Sequence, residues 1–534
     1  MRYNNTKRSI ILPLLLGIAL ALGVLIGKFL PAGADQPVHS SIRSRNDKIN
    51  SILNIVESNY VDSVNREDLI EAAIPAMLKK LDPHTVYIPA KELARANEPL
   101  QGNFEGIGIS FNMLTDTIVV ISTIPGGPSE KMGLLPGDKI LYVNDSLVAG
   151  KHISDDQVMG MLKGPKGTAV RIRIMRNGQK ELLPFEIIRD KIPIYSVDVS
   201  YMVKPTIGYI KINNFAMTTF DEFMNGLNEL KGQGMKSLIL DLRGNAGGIM
   251  EASIQIANQF LQEGQLIVYT KGRTQPRNEA RATGKGEFET GDLVILVDEW
   301  SASASEILAG AIQDNDRGTI IGRRTFGKGL VQEPVSFADG SGMRLTIARY
   351  YTPTGRSIQK PYTKGFDEYF DDLAERYHHR EYEIQDSIHF SDSLKFTTPG
   401  GRIVYGGGGI MPDKFVPVDT SGVSPYFVKT RSLIYRFALK YTETNRETLK
   451  KYPQPGELKD YLEKQPLLSQ FVDYAAANKI QTDRTGIKTS GEIISTQIKA
   501  YIARNMLDNK GFYPIWETID NTLLYAIGFL GGNK

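Results

Sequence analysis

Between residues 203 and 360 four short apolar runs, Gly208–Ile212, Ser237–Leu242, Leu293–Val297 and Gly318–Ile321, alternate with helix-length segments at Phe220–Leu230, Met250–Phe260 and Ser303–Gln313. Strands that alternate with helices pack into a largely parallel sheet with helices on its faces. This stretch therefore has an α/β core, and the rest of the chain has to be arranged around it.

The 534 residues are too many for one core; at roughly 150 residues per domain, three or four are expected. Residues 1–30 carry Arg2, Lys7 and Arg8, then an uncharged run from Ser9 to Gly27 that Lys28 ends. As a helix this run rises about 28 Å, close to the ~30 Å of a hydrocarbon core. The positive flank should stay cytoplasmic and the remainder be exported. The expectation is a single-pass anchor in a bacterial-type inner membrane, with the rest on the periplasmic side. Cleavage after Ala34, at Ala32-Gly33-Ala34, is the alternative.

A Pro/Gly/Ser-rich linker leads into residues 45–98, where Ile49, Ile52, Leu53 and Val56 form one helical stripe and Leu69, Ala73, Ile74, Met77 and Leu78 another; Asp82-Pro83 ends the second helix. Residues 102–190 are β-rich, with runs at Ile107–Phe111, Ile118–Ile121, Lys139–Val143 and Ala169–Met175 and a helix at Ser154–Leu162. The α/β core occupies 191–424. Within it, 363–398 is a charged, aromatic insertion that reads as a solvated excursion. Residues 425–534 return to helical spacing (Leu433, Phe437, Ala438, Tyr441) and read as a separate extension.

Composition excludes several chemistries. The 63 basic and 60 acidic residues nearly balance, which argues against a general nucleic-acid binder. There is no cysteine, so disulfides, thiolate metal sites and cysteine nucleophiles are ruled out. Of six histidines none lies between 153 and 377, and no Gly-x-Ser-x-Gly elbow is present, which disfavours a Ser-His-Asp hydrolase. No zinc-ligand spacing is found, and neither a metal nor an organic cofactor is expected.

The β-rich region resembles a PDZ domain, on Gly106-Ile107-Gly108-Ile109 and on Met132-Gly133-Leu134-Leu135-Pro136-Gly137-Asp138-Lys139-Ile140. Glycines let successive backbone N–H groups converge on an anion. The resemblance implies that a peptide's terminal carboxylate sits at Gly106, Ile107, Gly108 and Ile109 while its chain adds a strand to the sheet.

Three segments of the α/β region carry candidate chemistry. Asp241-Leu242-Arg243-Gly244-Asn245-Ala246-Gly247-Gly248 joins a strand to a helix, and such a turn can aim N–H groups at an oxyanion. Ser301-Ala302-Ser303-Ala304-Ser305-Glu306 follows a strand; taken locally it reads as an ordinary helix cap with capping-box spacing. In Thr325-Phe326-Gly327-Lys328-Gly329-Leu330-Val331-Gln332, a strand would point Lys328 and Gln332 the same way. A lysine in so tight and apolar a setting loses solvation, which favours the neutral form that can accept a proton.

Together these segments resemble the carboxyl-terminal processing peptidases (tail-specific proteases), a serine–lysine family with a crotonase/ClpP-like α/β core and an inserted PDZ domain. The resemblance places the nucleophile at Ser303, the general base at Lys328 and its orienting glutamine at Gln332. It places backbone oxyanion donors at Ala304, Gly247 and Gly248. It extends to Leu81-Asp82-Pro83-His84, Tyr351–Arg356 and Met411-Pro412-Asp413, over roughly residues 45 to 420. Asp314 also matches a position associated with the site, read here as structural. The implied activity is endopeptidase cleavage of exported polypeptides with apolar C-termini. A homo-oligomer or an activating adaptor is compatible with that. Rival readings are a catalytically silent PDZ scaffold or chaperone, a crotonase-like acyl-CoA enzyme, and a P-loop at Gly322–Lys328, against which Gly329 stands where Ser or Thr is needed.

Overall fold

The computed structural model describes residues 48–113, 116–363, 365–388 and 391–532. The chain divides into two compact units, Met1–Ile74 and Pro75–Lys534. In the first, Arg66, which opens the helix Arg66–Leu78, donates to Asn54 Oδ1 (2.8 Å) and Glu57 Oε2 (3.2 Å) on the helix Lys48–Asn59.

One expectation is corrected. Among the described residues no helix is long and apolar enough to cross a membrane. The segment Arg484–Trp516 breaks at Leu507 and Asp508, and the longest unbroken helix, Pro425–Leu449, carries Lys429, Arg431, Arg436 and Lys440 along its length; each such charge costs about 2.5–3.5 kcal/mol at a bilayer centre. The single-pass inner-membrane placement is therefore not carried further, and the run Ser9–Gly27 on which it rested lies outside the described residues.

The α/β core is a six-stranded sheet in the order Val197–Lys204, Ile207–Ile212, Ser237–Asp241, Asp292–Val297, Thr319–Gly322, Lys414–Phe415. All neighbours are parallel except the first pair. Every residue of Ser237–Asp241 is buried, because a central parallel strand is covered on both faces. The helices Thr219–Gly232, Met250–Asn258 and Ala304–Asp314 cover one face, where Phe223, Leu227, Ile256 and Leu308 meet Leu238, Leu240 and Ile295. On the other, Ile239, Val294, Leu296 and Ile321 meet Leu523 and Ala526 of the final helix, Asn521–Leu530. The C-terminal helical region thus completes the core rather than trailing from it. Its own apolar centre is built by Phe437, Phe471, Ile494 and Ile498.

A second, antiparallel sheet contains Val86–Ile88, Gly342–Tyr351, Leu266–Lys271 and Asn278–Arg281, with Leu330–Ser336 also paired to Gly342–Tyr351. This sheet carries the lysine segment. The β-rich region forms a third sheet, Ile109–Met113, Ile118–Thr123, Lys139–Val143, Ala169–Met175 and Leu183–Ile188. Val170, Ile172 and Ile174 alternate into its core against Val158 and Leu162 of the helix Asp155–Leu162. Ser154 and Gln157 close a capping box at that helix's start.

The insertion differs most from expectation. It holds a helix, Phe366–His378, whose Tyr369 and Arg376 are each only 2% exposed. These two side chains pack on the lysine segment, while Phe370 and Tyr377 of the same helix face water.

Candidate active site

The central strand Ser237–Asp241 runs into the glycine turn, and the next strand, Asp292–Val297, runs into the serine run; parallel pairing sets the two loops side by side. They are stitched together by Asn245. Its carbonyl accepts from the Ala302 N–H (3.0 Å) and the Ser305 hydroxyl (2.9 Å), and its side chain donates to the Ile212 carbonyl (3.0 Å).

The three serines separate by role. Ser301 and Ser305 are fully buried and donate their hydroxyls to the carbonyls of Leu242 (2.8 Å) and Asn245 (2.9 Å). Ser303 is half-buried on the wall of a cavity of about 560 Å³. It occupies the N-cap position of Ala304–Asp314, but with φ 55° and ψ −112° rather than the extended backbone of an ordinary cap. A non-glycine residue held there costs on the order of 1–3 kcal/mol, which the surrounding contacts must offset.

The main restraint is Glu306, which is fully buried. Its carboxylate accepts the Ser303 N–H (2.8 Å), the Lys328 N–H (2.9 Å), the Gly327 N–H (2.7 Å) and the Thr325 hydroxyl (2.5 Å). Burial pushes this carboxyl up to about 7, against the pull of those four donors. The Tyr350 hydroxyl adds a second tie, 2.5 Å from the Lys328 carbonyl and 3.1 Å from that of Ser303. One carboxylate and one phenol thus bridge the backbones of the two segments.

Lys328 precedes its strand, which begins at Leu330 and bulges between Val331 and Gln332. Its Nζ nonetheless donates to Gln332 Oε1 at 2.9 Å, and both residues line the cavity that Ser303 lines. Burial lowers the lysine pKa from its ordinary value, and the Arg344 guanidinium lowers it further. The Gln332 amide nitrogen donates to the His84 carbonyl, so the oxygen is the end presented to the lysine. A neutral lysine that spends one N–H on that oxygen keeps its lone pair for another partner. The strand Leu330–Ser336, not a helix, comes directly after Lys328, which removes the P-loop reading.

In the glycine turn, a Cβ at Gly247 (φ 98°) would lie 2.8 Å from both the Ala302 oxygen and Ser303 Cβ. Only glycine fits. Its N–H, however, donates to Asn245 Oδ1 at 2.8 Å, so Gly247 does not offer the free donor expected of it. Among the described residues the N–H groups of Ala304 and Gly248 have no acceptor. The apolar side of the cavity is formed by Leu100, Met217, Ile249, Met250 and Ile307.

At Gly106–Ile109, the carbonyls of Ile107 and Gly108 accept from Ser129 (3.1 Å) and Ile124 (3.0 Å), and Gly108 has φ 74°. The loop's acceptors therefore face its own domain. Asp314 pairs with Arg356 at 2.7 Å, both fully buried, and accepts from Thr354. This pair fastens the segment Tyr351–Arg356 to the end of the Ser303 helix. Asn245, Glu306, Tyr350 and His84 carry no site signal in the sequence, because nothing local distinguishes a capping glutamate or a core tyrosine from a tie between two distant loops.

A model for peptidase family S41 matches residues 206–366, a PDZ-domain model 106–187, a model for the activating protease CtpB N-terminal domain 32–92, and a family of unknown function, DUF8443, 426–508. The carboxy-terminal processing protease CtpB of Bacillus subtilis (strain 168) is 34% identical over 59% of this chain and 65% of its own length. CtpA of the same organism is 35% identical, over 59% and 67%. The carboxy-terminal-processing protease of Bartonella bacilliformis is 35% identical, over 58% of this chain and 72% of its own. The chain thus spans about two thirds of the length of these relatives.

Proposed function

This chain belongs to peptidase family S41, among the carboxy-terminal processing proteases, and from that premise we propose that it is a serine endopeptidase with Ser303 as nucleophile and Lys328 as general base. The observation that carries the reading is the shared cavity: Ser303 stands on it in a strained backbone conformation, opposite a lysine that burial drives toward its neutral form and Gln332 holds by one N–H.

In this mechanism neutral Lys328 takes the Ser303 proton as Oγ attacks the substrate carbonyl. The N–H groups of Ala304 and Gly248 receive the oxyanion. Lys328 then protonates the leaving amine, and water releases the acyl group from Ser303. The apolar wall of the cavity favours an apolar side chain next to the scissile bond. The loop Gly106–Ile109 takes the substrate's terminal carboxylate, so that the substrates are unstructured polypeptides with apolar C-termini.

The test is cleavage of such a polypeptide by the full-length chain beside Ser303→Ala, followed by mass spectrometry. Cleavage by the parent and none by the variant supports the reading. Slower cleavage of a substrate with an amidated terminus supports the carboxylate role. Binding without cleavage by either form would point to a silent peptide-binding scaffold.

A further inference from the structure

The match to the peptidase family model ends at residue 366, where the inserted helix Phe366–His378 begins. This helix nevertheless reaches the candidate base. Arg376 donates to the carbonyls of Thr325 (2.8 Å) and Phe326 (3.1 Å), directly ahead of Lys328. The Lys360 ammonium is caught between the Tyr369 carbonyl (2.8 Å) and Asp372 (2.9 Å), over the rings of Phe326 and Tyr369.

Tyr369 makes the decisive contact. Its hydroxyl lies 2.9 Å from His84 Nε2 and accepts from Gln359 Nε2 at 3.3 Å. A phenol has one proton. With Gln359 in an acceptor position, the phenol proton is available to His84 Nε2 in the neutral tautomer that carries its own hydrogen on Nδ1. Burial, with Lys328 and Lys360 nearby, holds His84 down to about 3 and so keeps it neutral. The His84 ring also packs edge-on against Phe326 and Tyr369. The backbone of His84 is fixed by Asp82, whose Oδ1 accepts the His84 main-chain N–H at 2.8 Å. Held at both ends, the His84 carbonyl is the acceptor that orients the Gln332 amide, and Gln332 holds Lys328.

We propose that the inserted helix is a strut for the active site and that Tyr369 is a positioning residue for Lys328, acting through His84 and Gln332. The inference rests on the serine–lysine reading above. It assigns a task to a segment outside the matched family region: the strut sets which end of the Gln332 amide faces the lysine and keeps it there.

The experiment uses the full-length chain and an unstructured polypeptide with an apolar C-terminus and an internal fluorophore–quencher pair. Tyr369→Phe keeps the ring and its packing and removes only the hydroxyl. We expect kcat to fall on the order of tenfold, the low end of what loss of an outer support costs at metal centres, with KM and the thermal midpoint unchanged. In a Gln332→Ala background, itself slowed, the same substitution should have no further effect, because nothing is left to position. An equal kcat loss in both backgrounds, or no loss in the parent, overturns the inference. Ser303→Ala and Lys328→Ala run alongside: if either cleaves like the parent, the serine–lysine reading itself fails. If both are dead while Tyr369→Phe is unaffected, only the strut fails.

Discussion

Glu306 accepts the backbone N–H of Lys328 at 2.9 Å, across 22 residues of sequence. The same oxygen accepts the Ser303 N–H, so the positions of the two candidate catalytic residues are not independent. In Glu306→Gln an amide nitrogen would face two of the four donors. Each orphaned buried donor costs ~1–3 kcal/mol, so we expect about 2–6 kcal/mol of lost stability by urea unfolding and cleavage below detection. A variant as stable and active as the parent would rule out the bridging role.

Cleavage should rise with pH. Lys328 acts only when neutral, and burial lowers its pKa below the ordinary 10.5, so the limb of kcat/KM against pH should have its midpoint below that value. Lys328→Arg keeps the charge at every accessible pH and should be inactive throughout. A rising limb preserved in that variant would assign the titration to another group.

Gly247→Ala puts a Cβ 2.8 Å from the Ala302 oxygen and Ser303 Cβ at a φ of 98°. The clash falls where the oxyanion would form. We expect cleavage to drop about 10²–10³-fold, the cost of a lost oxyanion donor. Binding of a peptide with a free apolar C-terminus, measured by fluorescence anisotropy, should be unchanged, since Gly106–Ile109 lie on another sheet.

His84 predicts an acid-sensitive fold. Its pKa is depressed from 6.5 to about 3 by burial, so the unfolded chain binds the proton more readily. This contribution is complete above about pH 6.5 and is lost as pH falls toward about 3, at no more than ~1.4 kcal/mol per pH unit. Urea unfolding over that range should show a shallower decline for His84→Gln. Parallel declines would show that His84 is not the group responsible.

Arg243 joins Asp520, 277 positions away, by two bonds of 2.8 and 2.7 Å, and Asp520 also caps the final helix by accepting from the Leu523 N–H. Asp520→Ala should release that helix from the sheet it covers. Arg243 keeps Asp241 as a partner, so the loss should stay near 2–3 kcal/mol, below that of a wholly broken buried pair. Limited proteolysis should then cut first in the tail; an unaltered digestion pattern would contradict the docking role.

The sequence by itself determined whatever depends on neighbours along the chain. Alternation in Ala169–Met175 specifies the inward face of that strand, apolar runs separated by helices specify a parallel core, and Lys328 with Gln332 is a pair four residues apart. The tertiary structure decided the partners that no spacing encodes. The insertion reads as solvated because it is rich in Asp, Glu and Arg, yet Arg376 is buried once two distant carbonyls accept its N–H groups. The tail reads as separate, yet its last helix covers a sheet face that water could not be left to fill. Ser303 reads locally as a cap, and its strained backbone, the cavity it lines and the tie through Glu306 set it apart from Ser301 and Ser305. The reason is physical: periodicity is written in short-range sterics and burial, whereas a buried polar group is stable only beside partners that the folded chain brings to it.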